Sequence, residues 1–238
     1  TVNALPAAPT ITAGGPTTLC DGESVVLTSS EATGNVWSNG GTTQAITVST
    51  AGSYTVEYTD GNGCKATSAA TTVTVNALPA APTITAGGPT TFCDGESVVL
   101  TSSEATGNVW STTETTQAIT VSTAGSYTVE YTDGNGCKAT SAATTVTVNA
   151  LPVAAVNSET ICAGDPAVTF IATSATAVGW SWSENGTGTL QNTSGTIAGN
   201  YTVVVTDANG CESAPATGVL TVNALPAAPT ITAGGPTT

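Results

Sequence analysis

Apolar and polar residues alternate over short stretches of this chain, and nowhere do apolar residues recur at the three- and four-residue spacing of a helix. The clearest stretch is residues 53–59, SYTVEYT. Tyr54, Val56 and Tyr58 share one side, and Thr55, Glu57 and Thr59 share the other, as in a strand with one face buried. Residues 24–30, SVVLTSS, are a β-branched run that reads as another strand. Residues 35–38, NVWS, supply a further one, with Trp37 as the large core residue. Ile46 and Val48 alternate with polar neighbours over residues 45–49, and TTVTVN closes the series at 71–76. PTIT at 9–12 reads as an edge strand, where Pro is tolerated. DGNG at 60–63 reads as a tight turn, since Gly and Asn accept positive φ. Short strands, frequent turn signals and one buried Trp predict an all-β fold, an immunoglobulin-like antiparallel β-sandwich.

The pattern then recurs. TVNALP opens at Thr1, Thr74, Thr147 and Thr221, at spacings of 73 (74 − 1), 73 (147 − 74) and 74 (221 − 147). The first two copies differ only at Leu19/Phe92, Asn39/Thr112, Gly40/Thr113 and Gly41/Glu114. A fixed period of this size predicts an array of small domains, at residues 1–73, 74–146 and 147–220, with the start of a fourth at 221–238. A β-solenoid would need a period of about 20–30 residues. The fourth copy stops at Thr238 and the chain opens on Thr1, as expected of a window on a longer array. Pro6 and Pro9 in the joining string NALPAAP favour polyproline II, so the expected array is an extended rod with short, semi-rigid joints. The third copy diverges: it carries Trp180 and Trp182, of which Trp182 matches Trp37, and Val204 stands where Glu57 and Glu130 do. Near-identical units suit a part whose job is length, spacing or many-fold presentation.

Composition narrows this further. The formal charge is −14, from 16 acids against Lys65 and Lys138, with no Arg or His. Phosphate backbones and anionic membrane surfaces would be repelled, so nucleic acid is excluded as a partner. No apolar run reaches the roughly 18 residues of a membrane-spanning helix, so no membrane insertion is expected. Charged residues are only 8%, yet 39% of residues are hydrophobic, which reads as β-structure with a Thr-rich surface rather than disorder.

Six cysteines fall two per repeat: Cys20 and Cys64, Cys93 and Cys137, Cys162 and Cys211. Without CxxC spacing or His they do not read as zinc ligands, and in so small a domain they predict disulfides. The connectivity depends on strand parity. Were only one full strand to separate the Trp37 strand from strand 53–59, Cys20 and Cys64 would share an end of the sandwich. The stretch 31–51 is short for more, so the preferred pairs are Cys20 with Cys64, Cys93 with Cys137, and Cys162 with Cys211. The alternative is inter-repeat: Cys20 with Cys137 and Cys93 with Cys211.

The strings CDGESVVLT from Cys20, VWSNG from Val36, GSYTV from Gly52 and DGNGC from Asp60 resemble the Ig-like and PKD-like repeats of giant secreted surface proteins of Bacteroidota. The resemblance covers all three full units and departs in the third over residues 182–198. It implies an extracellular or cell-surface location and export by the type IX pathway, as a gliding adhesin or a hook-like filament.

Candidate chemistry is sparse. A Ser–His pair cannot form without His, and the carboxylates Glu23, Glu57 and Asp60 recur in turns or on an exposed face, so no enzyme is expected. Calcium is the sharper rival. Asp60, Asn62, Asp133, Asn135, Asp207 and Asn209 place oxygen ligands in the Gly-rich turns, with Asp21 and Glu23 in the preceding loop. A plain Asx turn accounts for the same residues and is preferred, so no cofactor is expected. Two functions remain. One is a structural shaft or stalk of an extracellular filament or adhesin, with a homo-oligomeric bundle as its assembly. The other is an array presenting a glycan- or protein-binding module many times. Aromatics are only 5% and occupy core-like positions, which favours the shaft.

Overall fold

A computed structural model of the chain describes residues 3–232 and 234–235. Every regular element in them is a β-strand. The first repeat forms nine: β1 (Ile11–Ala13), β2 (Thr18–Cys20), β3 (Val25–Ser29), β4 (Asn35–Trp37), β5 (Ala45–Val48), β6 (Gly52–Tyr54), β7 (Val56–Thr59), β8 (Lys65–Thr67) and β9 (Thr71–Asn76). One sheet has the order β1-β3-β5; facing it are β2-β9-β6 and β4-β7-β8. All pairings are antiparallel except β2 on β9, which is parallel, with Cys20 opposite Asn76. Strands β6 and β7 run on from one another, broken only at Thr55. The result is an immunoglobulin-like sandwich.

Burial follows the period of two. Val25, Leu27, Trp37, Tyr54, Val56 and Val73 are inside, together with Leu19 and Val48. Val26 and Val36, one residue out of phase, are exposed. Ser29 and Asn35 are buried polar residues, and they satisfy each other. The Ser29 hydroxyl donates to Asn35 Oδ1 at 2.8 Å, and Asn35 Nδ2 donates to the Glu31 carbonyl at 2.7 Å. That network closes the turn from β3 into β4. Gly34 is required there: its φ is +76°, and a Cβ would lie 2.6 Å from the Thr59 carbonyl oxygen.

The second repeat reproduces these ranges 73 residues on (84 − 11): β10 (Ile84–Ala86), β11 (Thr91–Cys93), β12 (Val98–Ser102), β13 (Asn108–Trp110), β14 (Ala118–Val121), β15 (Gly125–Tyr127), β16 (Val129–Thr132), β17 (Lys138–Thr140) and β18 (Thr144–Asn149). Ile84 stands opposite Ser102 as Ile11 stands opposite Ser29, and Trp110 opposite Val129 as Trp37 opposite Val56.

The third repeat has seven strands, several of them longer: β19 (Ala155–Val156), β20 (Glu159–Cys162), β21 (Val168–Thr173), β22 (Ala177–Glu184), β23 (Asn192–Gly195), β24 (Gly199–Asp207) and β25 (Ala216–Asn223). Its sheets are β19-β21-β23 and β20-β25-β24-β22. Trp182 does sit opposite Val203, as Trp37 does opposite Val56. Phe170 stacks on Tyr201, ring centroids 4.1 Å apart, in a core completed by Ile161, Val205 and Leu220. Val204, in the place of Glu57, is half-buried rather than exposed.

By contacts the chain divides into two compact units. One comprises Thr1–Gly87, Val99–Thr120 and Ser126–Thr145; the other comprises Gly88–Val98, Val121–Gly125 and Val146–Thr238.

The turn after β4 decides where everything downstream lies. Trp37 N–H donates to the Gly41 carbonyl at 2.7 Å, and Gly40 N–H donates back to the Trp37 carbonyl at 2.8 Å. The chain therefore reverses over residues 38–41 and runs back beside β4 before β5 begins. Gly40 takes φ +89° in this turn, but the second repeat places Thr113 there, at φ +78°. A β-branched residue in that region is strained by about 1–2 kcal/mol. Thr113→Gly is expected to raise stability by up to about 1 kcal/mol, the strain relieved less the backbone entropy that Gly retains when unfolded. Urea denaturation of the full chain checks it; a fall in midpoint would show that Thr113 is unstrained.

Candidate functional site

Each repeat presents two cysteine turns, and both are built by a carboxylate that folds back on the backbone. In the first, Glu23 Oε2 accepts the Cys20 amide at 2.8 Å while Glu23 N–H donates to the Cys20 carbonyl at 2.9 Å. Glu96 on Cys93 (3.0 Å) and Asp165 on Cys162 (2.7 Å) repeat it. In the second turn, Asp60 Oδ1 accepts the amides of Asn62 at 2.9 Å and Cys64 at 2.8 Å. Asp133 and Asp207 do the same with Asn135 and Cys137, and with Asn209 and Cys211. These are Asx turns, the preferred reading, and the Oδ1 atoms weighed as calcium ligands each already accept two amides. Among the described residues no three His, Cys, Asp or Glu side chains cluster as a metal site would require.

In the first repeat the two cysteine turns lie at opposite ends of the sandwich. Cys20 ends β2, beside the close of β9 and the start of β6, whereas Cys64 follows the far end of β7. A strand's length separates them, roughly 25 Å at about 3.3 Å per residue, far beyond the ~7 Å Cα limit for a disulfide. The bonds are accordingly Cys20–Cys137 and Cys93–Cys211, with Cα atoms 5.5 and 5.6 Å apart, and each lies inside one compact unit. This corrects the preferred pairing: Cys20 with Cys64, Cys93 with Cys137, and Cys162 with Cys211 are not joined. The error was in counting strands. Residues 31–51 hold only two short strands, but the reversal at 38–41 and the returning segment 42–44 supply the missing change of direction. The indole Nε1 of Trp37 donates to the Thr43 carbonyl at 2.8 Å and holds that segment back. Cys64 and Cys162 are free thiols.

Sequence reasoning did not find β2 or β8, which carry Cys20 and Lys65. Lys65 Nζ meets Glu57 Oε1 at 2.6 Å across β7 and β8, and Lys138 meets Glu130 at the same distance. Both lysines are more than half exposed, and such pairs contribute little stability. The third repeat puts Val204 and Glu212 at these two positions, and Glu212 bridges Thr206 by backbone alone.

No protein-family model matches the chain, and no curated protein matches it. Among solved structures it is similar to the fibronectin(III)-like modules of Clostridium thermocellum CbhA, at 16% identity over 59% of this chain and 94% of that one, TM-score 0.32. It is also similar to the four N-terminal Ig domains of Dscam1 isoform 8.4, at 13% identity, 93% and 74% coverage and TM-score 0.26. A third is SGBP-B of the Bacteroides ovatus mixed-linkage glucan utilization locus, in complex with a mixed-linkage heptasaccharide, at 14% identity, 92% and 69% coverage and TM-score 0.23.

The Asx turns carry a pH dependence. The Cys137 amide above all, then Asn135 and Gly136, hold the Asp133 carboxyl below its ordinary value of 3.8 against a weaker opposing effect of burial. Cys211, Asn209 and Gly210 do the same for Asp207. A lowered folded-state value stabilises the fold above the unfolded-state value, and that stability is lost as pH falls through the folded one. The thermal midpoint is therefore expected to be level from about pH 7 to about pH 5 and to drop below about pH 4. Calorimetry on the chain carrying Asp133→Asn and Asp207→Asn should show a shallower acid fall. An unchanged slope would mean these turns do not contribute.

Proposed function

We propose that the chain is a structural segment, a tension-bearing shaft of a large extracellular filament or adhesin, built of sandwiches at residues 1–73, 74–146 and 147–220. The observation that carries this reading is the interleaving of the two disulfides. Cys20–Cys137 closes one loop and Cys93–Cys211 another, and each loop contains one end of the other. Two covalent routes therefore join residue 20 to residue 211. A single backbone cut anywhere between them leaves the chain in one piece. Such double connection adds nothing to a catalyst, but it suits a part that transmits force. Disulfides of this kind persist in oxidising compartments, which supports a secreted or cell-surface location. The large exposed hydrophobic residues among those described are all aliphatic, so the stacking platform favoured for sugar recognition is not on display. That weighs the shaft above a multivalent glycan-binding array.

Single-molecule pulling tests the reading. Reduced, the chain between residues 20 and 211 is 191 residues long (211 − 20); oxidised, its shortest covalent route is 73 (93 − 20). At no more than about 3.6 Å per residue, the oxidised chain should stop extending roughly 420 Å short of the reduced one. Equal extensions would sink the proposal.

The shaft needs no cation in this account, because one oxygen of each turn carboxylate already accepts two amides and the disulfides supply the cross-linking that a small core lacks. Thermal unfolding is expected to have the same midpoint in EDTA and in millimolar calcium. A marked drop in EDTA would show that the turns at 60–63, 133–136 and 207–210 hold calcium.

A further inference from the structure

Charged residues avoid one sheet of every sandwich. Strands β1, β3 and β5 read ITA, VVLTS and AITV, and β10, β12 and β14 repeat them letter for letter. Strands β19, β21 and β23 read AV, VTFIAT and NTSG. None of the 16 acids and neither lysine is among them. The facing sheets carry Glu57 with Lys65, Glu130 with Lys138, and Glu159, Glu184 and Asp207. The remaining acids lie outside the strands. On the uncharged sheet of the first repeat, Thr12 and Ala45 flank Thr28, and Val26 lies beside Thr47. The central strands leave Val26, Val99 and Ile171 open to solvent, at 43%, 44% and 48% exposure. Exposed valines of the facing sheets have acidic company instead: Val36 stands opposite Glu57 and Val109 opposite Glu130.

We infer that the uncharged sheets are the surfaces by which this chain associates sideways with a second copy of itself, sheet against sheet. Charge carries the inference. At a net charge of −14 two copies repel one another, and contact through the facing sheets would set glutamate against glutamate. Contact through the uncharged sheets brings no like charges together. A basic partner would be drawn to the acids of the turns and the facing sheets, and would find nothing to bind here. A threonine hydroxyl both donates and accepts, so such a face can satisfy a copy of itself, as a two-fold interface requires. Three strands about 4.8 Å apart and five residues long, at about 3.3 Å per residue, offer roughly 240 Å². A stable pair needs about 800 Å² from each partner. One sheet falls well short, so the contact must use more than one repeat, and a second copy is a partner that repeats the same face. The inference stands on this charge distribution and does not rest on the shaft reading.

Sedimentation equilibrium of the full chain tests this from micromolar to millimolar concentration, with Cys64 and Cys162 alkylated to prevent covalent links. A reversible dimer or larger assembly is expected, no weaker at high salt than at low, because no ion pair holds it. V26E, V99E and I171E combined should weaken association at least about a hundredfold, since they set like charges face to face. The matched control V36E, V109E and V219E adds the same charge to the facing sheets, at positions 46%, 42% and 43% exposed, and should weaken it far less. Hydroxyl-radical footprinting of the unsubstituted chain keeps the test independent of how the variants fold. Val26, Val99 and Ile171 should lose reactivity as the assembly forms, while Val36, Val109 and Val219 keep it. A chain that stays monomeric at millimolar concentration would overturn the inference. So would protection of the facing sheets instead, an equal loss in the two triple variants, or an assembly that salt dissolves.

Discussion

Burying Trp37 leaves an indole N–H that must find an acceptor away from water, and the rest of the repeat is arranged around that need. The acceptor is the Thr43 carbonyl, six residues on in the chain, and reaching it folds residues 38–44 back along β4. Because the chain has reversed, β5 enters antiparallel to β3, with Ala45 opposite Thr28 and Val48 opposite Val25. Strands β6 and β7 then travel the opposite way and end beside Gly34, where Thr59 N–H donates to the Gly34 carbonyl at 2.9 Å. The second cysteine is delivered to the end away from the first. One satisfied indole thus settles that the two cysteines of a repeat cannot meet, and that any disulfide must join different repeats.

The same economy extends to the carboxylates beside the cysteines. Asp60, Asp133 and Asp207 each close a turn that positions a cysteine. Glu23, Glu96 and Asp165 close the other turn. Both lysines lie across neighbouring strands on glutamates. These charged side chains shape a β-turn or lie across neighbouring strands.

Strand positions were legible because the period of two is clean wherever one face is buried: residues 71–76 form β9 where alternation places it, and 53–59 differ in the break at Thr55 between β6 and β7. β2 and β8 were not, because TLC and KAT are three-residue strands whose identity comes from their partners, β9 and β7, rather than from local pattern. The Ser29–Asn35 pair was missed for a related reason. Polar residues in a strand read as exposed until a cross-strand partner is known. Disulfide connectivity was the costliest miss. Strand parity is a global property, and a reversal made by a turn of four residues, with no strand of its own, changes it without any apolar signal.

The third repeat shows which of these features the fold depends on. Its core is rebuilt: Phe170 and Tyr201 stack, and Trp180 takes the place of the buried Asn35, with its indole nitrogen lacking a partner among the described residues. Its loop after the central tryptophan is longer, so Trp182 Nε1 reaches the carbonyl of Leu190, eight residues on rather than six. Yet the indole still binds a returning segment, β23 still enters antiparallel to β21, and β24 still ends in an Asp–Ala–Asn–Gly–Cys turn. Cys211 therefore arrives at the end of its sandwich away from Cys162 and is free to reach Cys93. Loop length and part of the core have changed; the central tryptophan with its reversal, the Tyr–x–Val of the facing strand and the two cysteine turns have not.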